Sequence, residues 1–211
     1  RLCRDWSSDV CSSDLAYIDC RRRKQNTASA LRFEVRLEHN LMELYEELLS
    51  GEYRPGRSTF FVIKYPKARE VCAADYRDRI VHHWIYNLAG PRFERGFIAD
   101  SCACIKGRGT LYAVERAESH IRSITQNWSV PAWYLKCDLA NFFVSINKNV
   151  LWDLLAARIH EPWLLGITRA VLFHDPRTDF EFKGDPKDME LVPRHKRLMD
   201  QPVTHGLPIG N

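Results

Sequence analysis

The chain has 211 residues, of which 45% are hydrophobic and 27% charged, a composition that excludes a disordered, collagen-like or low-complexity protein. No apolar run approaches the ~20 residues of a membrane span, so we expect no membrane partner. The net charge of +4 permits a polyanionic partner without requiring one. Seven cysteines with no CxxC pair indicate reduced thiols rather than a zinc site or a disulfide framework.

Both ends of the chain look unusual for a natural protein. Residues 1–15 read RLCRDWSSDVCSSDL, a near repeat without the apolar core of a secretory signal. This stretch resembles translated sequencing-adaptor DNA, so we expect a non-native leader. The chain stops at Gly210-Asn211 inside a turn-like sequence, and we therefore expect a truncated protein.

The first half of the chain predicts a helix, a β-hairpin and a second helix. Apolar residues recur at helical spacing in both helices, and the strands flank a Pro-containing turn at 65–68. We expect Gly51 to end the first helix, Asp75 to cap the second and Gly90-Pro91 to end it. The predicted bounds are 27–50 for the first helix, 58–64 and 69–74 for the strands, and 75–89 for the second helix.

The second half begins with a Gly-rich loop at 105–110 that leads into a helix ending near Gln126. A short strand is predicted at 133–138. The remaining predictions are a turn at 139–143, helices at about 148–159 and 162–173, and a long loop or weak hairpin at 175–205. Helices mixed with a few grouped strands predict an α+β fold.

Asp138 stands at the end of the predicted strand. A carboxylate held there suits a hard divalent cation such as Mg²⁺, and the turn behind it can present backbone N–H groups to phosphate oxygens. An Asp after a strand also forms turns or caps helices, so the residues alone leave both interpretations open. Of the paired aromatics Phe142 and Phe143, one could serve the core and the other could form a wall against a substrate sugar.

Three segments, in order, carry a family resemblance. Residues 134–146, read YLKCDLANFFVSI, resemble the first palm motif of bacterial reverse transcriptases, Lys-x-Asp-Ile-x-x-Phe-Phe. Residues 69–83 resemble the fingers motif of that family, an Arg followed later by Asp-Arg-Ile-Val. Residues 205–211, read HGLPIGN, resemble the opening of its Gly-Leu-Pro-x-Gly-Asn motif. Three matches in order are much harder to obtain by chance than one.

The resemblance implies the fingers and part of the palm of a right-hand polymerase, without a thumb. The implied domains are a leader at 1–15, a helical segment at 16–56, fingers at 57–128 and the first part of the palm at 129–211. Residues 97–110 and Ile209 are similar to the reverse transcriptases of diversity-generating retroelements, in which Ile at this position is associated with relaxed fidelity. Group II intron, retron and defence-associated relatives stay open.

The resemblance also implies a two-metal site in which Asp138 binds both Mg²⁺ ions, with Mn²⁺ as an alternative. Phe143 would be a steric gate whose ring excludes a ribose 2′-hydroxyl. Lys106 and Arg108 are candidates for template phosphate contacts, or simply belong to a surface turn. The residues implied around the incoming nucleotide are Lys64, Arg69, Leu139, Ala140, Asn141, Phe143, Ile209 and Gly210.

The implied activity is RNA-directed DNA synthesis in a bacterial or phage-encoded cytoplasmic enzyme. Its partners would be an RNA template, a DNA or RNA primer, dNTPs and in some cases an accessory protein. The family uses two further adjacent Asp residues, and this chain contains no Asp-Asp pair. We therefore expect no polymerase activity from these 211 residues alone. The alternatives are a nucleic-acid-binding module without chemistry, and an unstable structural fragment with an unpaired sheet edge.

Overall fold

The computed structural model describes residues 15–22 and 27–208. These residues form two compact units, one from 15–22, 27–89 and 141–208 and the other from 90–140. These boundaries cross the expected fingers and palm segments, which stay predictions. No helix of the described residues has the length and apolarity needed to cross a membrane.

Three helices begin the first unit. Helix α1 covers 15–21, α2 covers Ala28–Glu34 and α3 covers Leu37–Ser50. The prediction of one helix from 27 to 50 was therefore wrong, because a turn at 35–36 separates α2 from α3. The side-chain amide of Asn40 donates to the Phe33 carbonyl oxygen at 2.8 Å, which satisfies a backbone acceptor at the end of α2. Gly51 has φ +75° and ends α3 as predicted.

The sheet has three strands in the order β2–β1–β3. Strands β1 (Ser58–Ile63) and β2 (Arg69–Ala73) pair antiparallel, which confirms the predicted hairpin. Strand β3 (Phe180–Lys183) lies parallel to β1, inside the stretch expected to be a long loop or weak hairpin. Because β3 pairs with a strand about 120 residues earlier, no local pattern announces it.

Helix α4 spans Tyr76–Glu94 and contains Pro91. The expected end at Gly90-Pro91 was wrong; a proline has a φ compatible with a helix and removes only one backbone donor. Asp75 precedes the helix, and its carbonyl oxygen accepts the Arg79 N–H at 3.1 Å; its side-chain cap stays a prediction. The Ser29 hydroxyl, from α2, accepts the Tyr76 N–H at 3.0 Å and donates to the Asp75 carboxylate.

The remaining helices are α5 (Thr110–Ile124), α6 (Phe142–Ser145), α7 (Lys148–Ala156) and α8 (Pro162–Phe173). Short 3₁₀ turns follow at Pro186–Leu191 and Arg194–Lys196. Three of the helices, α5, α7 and α8, confirm predictions. The strand expected at 133–138 is absent: residues 131–139 have no regular secondary structure and are exposed, Trp133 by 99%. A strand is stabilised by a paired neighbour, and this stretch belongs to no sheet of the described residues.

The first unit holds the hydrophobic core. A large cluster contains residues of all four helices from α1 to α4, together with Ile167 of α8. A smaller cluster contains Phe60 and Cys72 of the sheet and Leu198. In the second unit, none of the residues of α5 is buried. The mixture of packed helices and a small sheet is an α+β fold, as predicted.

Candidate functional site

A sharp turn places Phe142 and Phe143. Asn141 has φ +56° and ψ +29°, a left-handed conformation that Asn tolerates better than most residues, and α6 begins directly after it. The two rings contact edge to face with centroids 5.4 Å apart, and each side chain is about half exposed. Neither aromatic serves the core, since the buried residue of this turn is Val144.

Backbone hydrogen bonds join this turn to residues 204–207, some sixty residues later. The Leu207 N–H donates to the Phe143 carbonyl oxygen at 2.9 Å, and the Gly206 N–H donates to that of Ile146 at 2.8 Å. The Lys148 N–H, at the start of α7, donates to the Thr204 carbonyl oxygen at 2.9 Å. Within the first unit, the end of the segment at 134–146 is thus held beside the start of the segment at 205–211.

Gly206 occupies a position that only glycine fits without strain. Its φ is +84°, and a Cβ atom placed on it would lie 2.6 Å from Leu198 Cδ1 and 3.2 Å from the Val144 carbonyl oxygen. Both distances are shorter than normal packing contacts, so a side chain here would push the two segments apart. The resemblance named this glycine, but only the structure shows what it touches.

Strand β2 carries two charged residues with opposite environments. Arg69 is exposed and forms no ion pair with any residue that the structure describes, so its guanidinium is available to an anion. Glu70 is only 7% exposed, and its Oε2 atom accepts the Leu198 N–H. Burial raises the pKa of the Glu70 carboxyl group. Sequence reasoning missed Glu70, although a single carboxylate beside an apolar run in a strand was a usable signal.

Lys64 has a partner within the first unit. Its Nζ atom lies 2.8 Å from Asp188 Oδ1, and the hydrogen bond to Asp188 raises the pKa of the lysine. Lys64 itself is exposed. A triphosphate would therefore compete with Asp188 for the ammonium group.

A second missed residue is Arg177. Its Nε and Nη2 atoms donate to the two Asp175 carboxylate oxygens at 2.7 and 2.9 Å, a paired geometry that orients the guanidinium. Hydrogen bonds from Arg177 lower the pKa of Asp175. The remaining Nη1 atom donates to the Gln201 carbonyl oxygen at 2.5 Å. Arg177 therefore fixes the backbone three residues after the Leu198 contact.

Asp138, Leu139 and Ala140 lie in the second unit, on an exposed stretch. Asn141 and Phe143, which follow them, lie in the first unit with Lys64 and Arg69. Within 15–22 and 27–208, no group of three or more His, Cys, Asp or Glu side chains could hold a metal ion. One carboxylate does not hold two Mg²⁺ ions, so the described residues do not by themselves fit the metal site that the resemblance implies.

Arg108 has a role inside the second unit. Its Nη1 atom donates to the carbonyl oxygens of Ile98, Ala99 and Ser101 at 3.3, 3.2 and 3.2 Å. These bonds hold the Gly-rich loop in place and leave the Nε and Nη2 atoms as the groups that could meet a template phosphate. Lys106 is exposed on the same loop. Template contact stays a prediction for both residues.

Ile209 and Gly210 lie outside the described residues.

In comparisons with known proteins, no family model and no curated protein matches the chain.

Proposed function

We propose that this chain is part of an RNA-directed DNA polymerase and carries its fingers and the beginning of its palm. The proposal comes from the three segments that resemble reverse-transcriptase motifs and occur in the family's order. The observation that supports it most is the set of backbone hydrogen bonds between 143–148 and 204–207. Residues that build one nucleotide site must lie together in the fold, and the contact of Phe143 and Ile146 with Leu207 and Gly206 supports this for parts of the two segments.

In this proposal Phe143 selects deoxynucleotides. Its half-exposed ring lies on a turn held by backbone hydrogen bonds, which suits a side chain that acts by excluding a 2′-hydroxyl group. Arg69 bonds the triphosphate through its unengaged guanidinium. Asp138 would supply carboxylate oxygen to Mg²⁺, and the further ligands that the ions need would come from outside the described residues.

The test uses this 211-residue chain beside a version whose reading frame continues past Asn211. Both are assayed for binding of an RNA template annealed to a DNA primer, and for Mg²⁺-dependent dNTP incorporation. We expect both to bind with an affinity that falls as salt rises, and only the longer protein to extend the primer. Extension by the longer protein should be abolished by Asp138→Asn, and Phe143→Ala should admit ribonucleotides. No extension and no salt-dependent binding by either version would reject the proposal.

A second candidate is a nucleic-acid-binding module without chemistry. The observation that favours it is the single, exposed carboxylate of the predicted metal site within the described residues. This candidate predicts salt-dependent RNA binding that is unchanged by Asp138→Asn and by removal of Mg²⁺. It also predicts no synthesis from the longer protein.

The narrower proposal, a diversity-generating retroelement enzyme, concerns Ile209. An Ile side chain cannot donate the hydrogen bond that a Gln can, so base-pair geometry would be checked less strictly. We expect Ile209→Gln to lower misincorporation in a primer-extension assay of the longer protein. Unchanged fidelity would remove the support for this subgroup.

A further inference from the structure

The buried carboxylate of Glu70 is the starting point. Glu70 follows the exposed Arg69 on β2, and its neighbours Val71 to Ala73 are all buried. Its Oε2 atom accepts the Leu198 N–H, while its Oε1 atom has no hydrogen-bond partner among the residues that the structure describes. A buried carboxylate is unfavourable unless it is hydrogen-bonded. The Leu198 N–H that compensates Glu70 belongs to a residue 128 positions away, and the backbone of the adjacent Met199 also lowers the pKa of this carboxyl group.

Leu198 lies between Glu70 and the turn that carries Phe143. Its side chain is buried with Phe60 and Cys72, and its Cδ1 atom lies where a Gly206 side chain would be. Gly206 and Leu207 in turn donate to the backbone of Ile146 and Phe143. A continuous path of contacts therefore leads from Glu70 to the turn that carries Phe143, entirely within the first unit.

Arg177 also holds the loop at 198–207, at a second point. Its Nη1 atom donates to the Gln201 carbonyl oxygen, and the Gln201 N–H donates to the Leu198 carbonyl oxygen at 3.1 Å. Asp175 fixes the guanidinium through two hydrogen bonds. The backbone of 198–201 is thus held by an anionic acceptor at one end and a cationic donor at the other, both charge-assisted hydrogen bonds.

We propose that Glu70 and Arg177 are positioning residues that hold the loop 198–207 and, through Gly206 and Leu207, set the position of Phe143. Neither residue contacts the nucleotide. The inference rests on the proposed function, in which Phe143 selects the sugar. It adds to that function a link between the hairpin that carries Arg69 and the gate.

The first experiment measures local opening in the 211-residue chain and does not depend on catalysis. Hydrogen exchange of the Gly206 and Leu207 amides is followed by NMR in Glu70→Ala, Glu70→Gln and Arg177→Lys. We expect exchange at least tenfold faster in Glu70→Ala and Arg177→Lys. Glu70→Gln keeps an acceptor for the Leu198 N–H, so we expect exchange within about threefold of the parent.

The matched control is Asp78→Asn. Asp78 is also a buried carboxylate of the first unit, but it accepts from the Tyr53 hydroxyl and the Gly56 N–H instead. Core amides of α3 report global unfolding in every variant. Exchange at Gly206 and Leu207 that is unchanged in Glu70→Ala and Arg177→Lys, or that rises equally in Asp78→Asn, would overturn the proposal. If Glu70→Ala does not fold, Arg177→Lys decides.

The second experiment uses the longer protein and measures the ratio of dNTP to rNTP incorporation. We expect this ratio to fall at least threefold in Glu70→Ala and Arg177→Lys and to stay unchanged in Asp78→Asn. Faster exchange with an unchanged ratio would show that the loop does not position Phe143, and would overturn the proposal. Faster exchange in a protein that never extends a primer would reject the proposed polymerase function but support the anchoring of the loop.

Discussion

The two halves of one sequence motif are held in different ways in this protein. Residues 142–148 form a helical turn and the start of α7, and they bond to the backbone of 204–207. Residues 131–139, just before them, are exposed and have no regular secondary structure. Phe143 lies in the first stretch and Asp138 in the second.

A contiguous sequence motif is therefore not necessarily stabilised as one structural element. The Phe143 carbonyl oxygen accepts the Leu207 N–H, and the adjacent Gly206 lies against Leu198 and Val144. Asp138 has no comparable support in the described residues. A wider contrast matches this one, because the first unit has a buried core and α5 of the second unit has no buried residue.

The largest effect is expected in the core of the first unit. Ile167 is 4% exposed and packs in the large cluster, so Ile167→Ala should lower the free energy of unfolding by about 4 kcal/mol. Leu111 of α5 is 72% exposed, and Leu111→Ala should change it by less than about 0.5 kcal/mol. Chemical denaturation followed by circular dichroism measures both. Equal losses would mean that α5 has a packed face and would end the contrast between the units.

The next effect concerns the contact between the two motif segments. Gly206→Ala combines a strained φ with a collision against Leu198 and should cost about 3 kcal/mol. Gly184→Ala is the control, because Gly184 also has a positive φ, +95°, but open space around it. It should cost about 1 kcal/mol. Thermal unfolding of the two variants separates the cost of the positive φ from the cost of the steric contact with Leu198. Equal losses of stability in the two variants would contradict that contact.

The third prediction concerns pH. Burial raises the folded-state pKa of Glu70 above its ordinary value of 4.5, so the folded protein binds this proton more tightly than the unfolded chain. The resulting stability is present below the ordinary pKa and is lost as pH rises through the raised value. The parent should therefore gain stability relative to Glu70→Gln as pH falls from 7 towards 4. A difference that is constant across this range would show that Glu70 does not titrate differently on folding.

The smallest effect on stability is expected at Asp138. Its side chain is exposed on an irregular stretch, so Asp138→Asn should change the free energy of unfolding by less than about 0.5 kcal/mol. In Asp78→Asn the buried side chain keeps one acceptor oxygen but turns an NH₂ donor towards the second of its two donors, the Tyr53 hydroxyl and the Gly56 N–H, which should cost more than about 1 kcal/mol. Denaturation curves of the two variants test whether Asp138 is anchored. A loss at Asp138 equal to that at Asp78 would show that it is.

Local patterns predicted local structure well. The hairpin around residues 65–68, the end of α3 at Gly51 and the start of α5 after Gly109 depend on turn and cap preferences that a few neighbouring residues contain. The predictions that failed depended on distant partners. The strand expected at 133–138 has no neighbour to pair with in the described sheet, and β3, inside the stretch expected to be a long loop or weak hairpin, pairs with β1 about 120 residues earlier.

The candidate site shows the same division. Its motif residues were found by resemblance, and Asp138 and Phe143 were named on that basis. Glu70 and Arg177 were not, because their importance lies in which backbone groups they reach. A carboxylate in a strand and an arginine in a loop have many ordinary explanations until the partner of each is known.

From the sequence alone follow the α+β composition, the hairpin and most helix positions, together with the three motifs on which the proposed DNA synthesis rests. Periodicity, turn chemistry and short motifs are written in neighbouring residues, so they can be read directly. Only the tertiary structure decided that residues 143–148 lie against 204–207, that Leu198 fills the space beside Gly206, and that Glu70 and Arg177 hold the intervening loop. Because those contacts join residues up to 128 positions apart, they form only when the first unit folds.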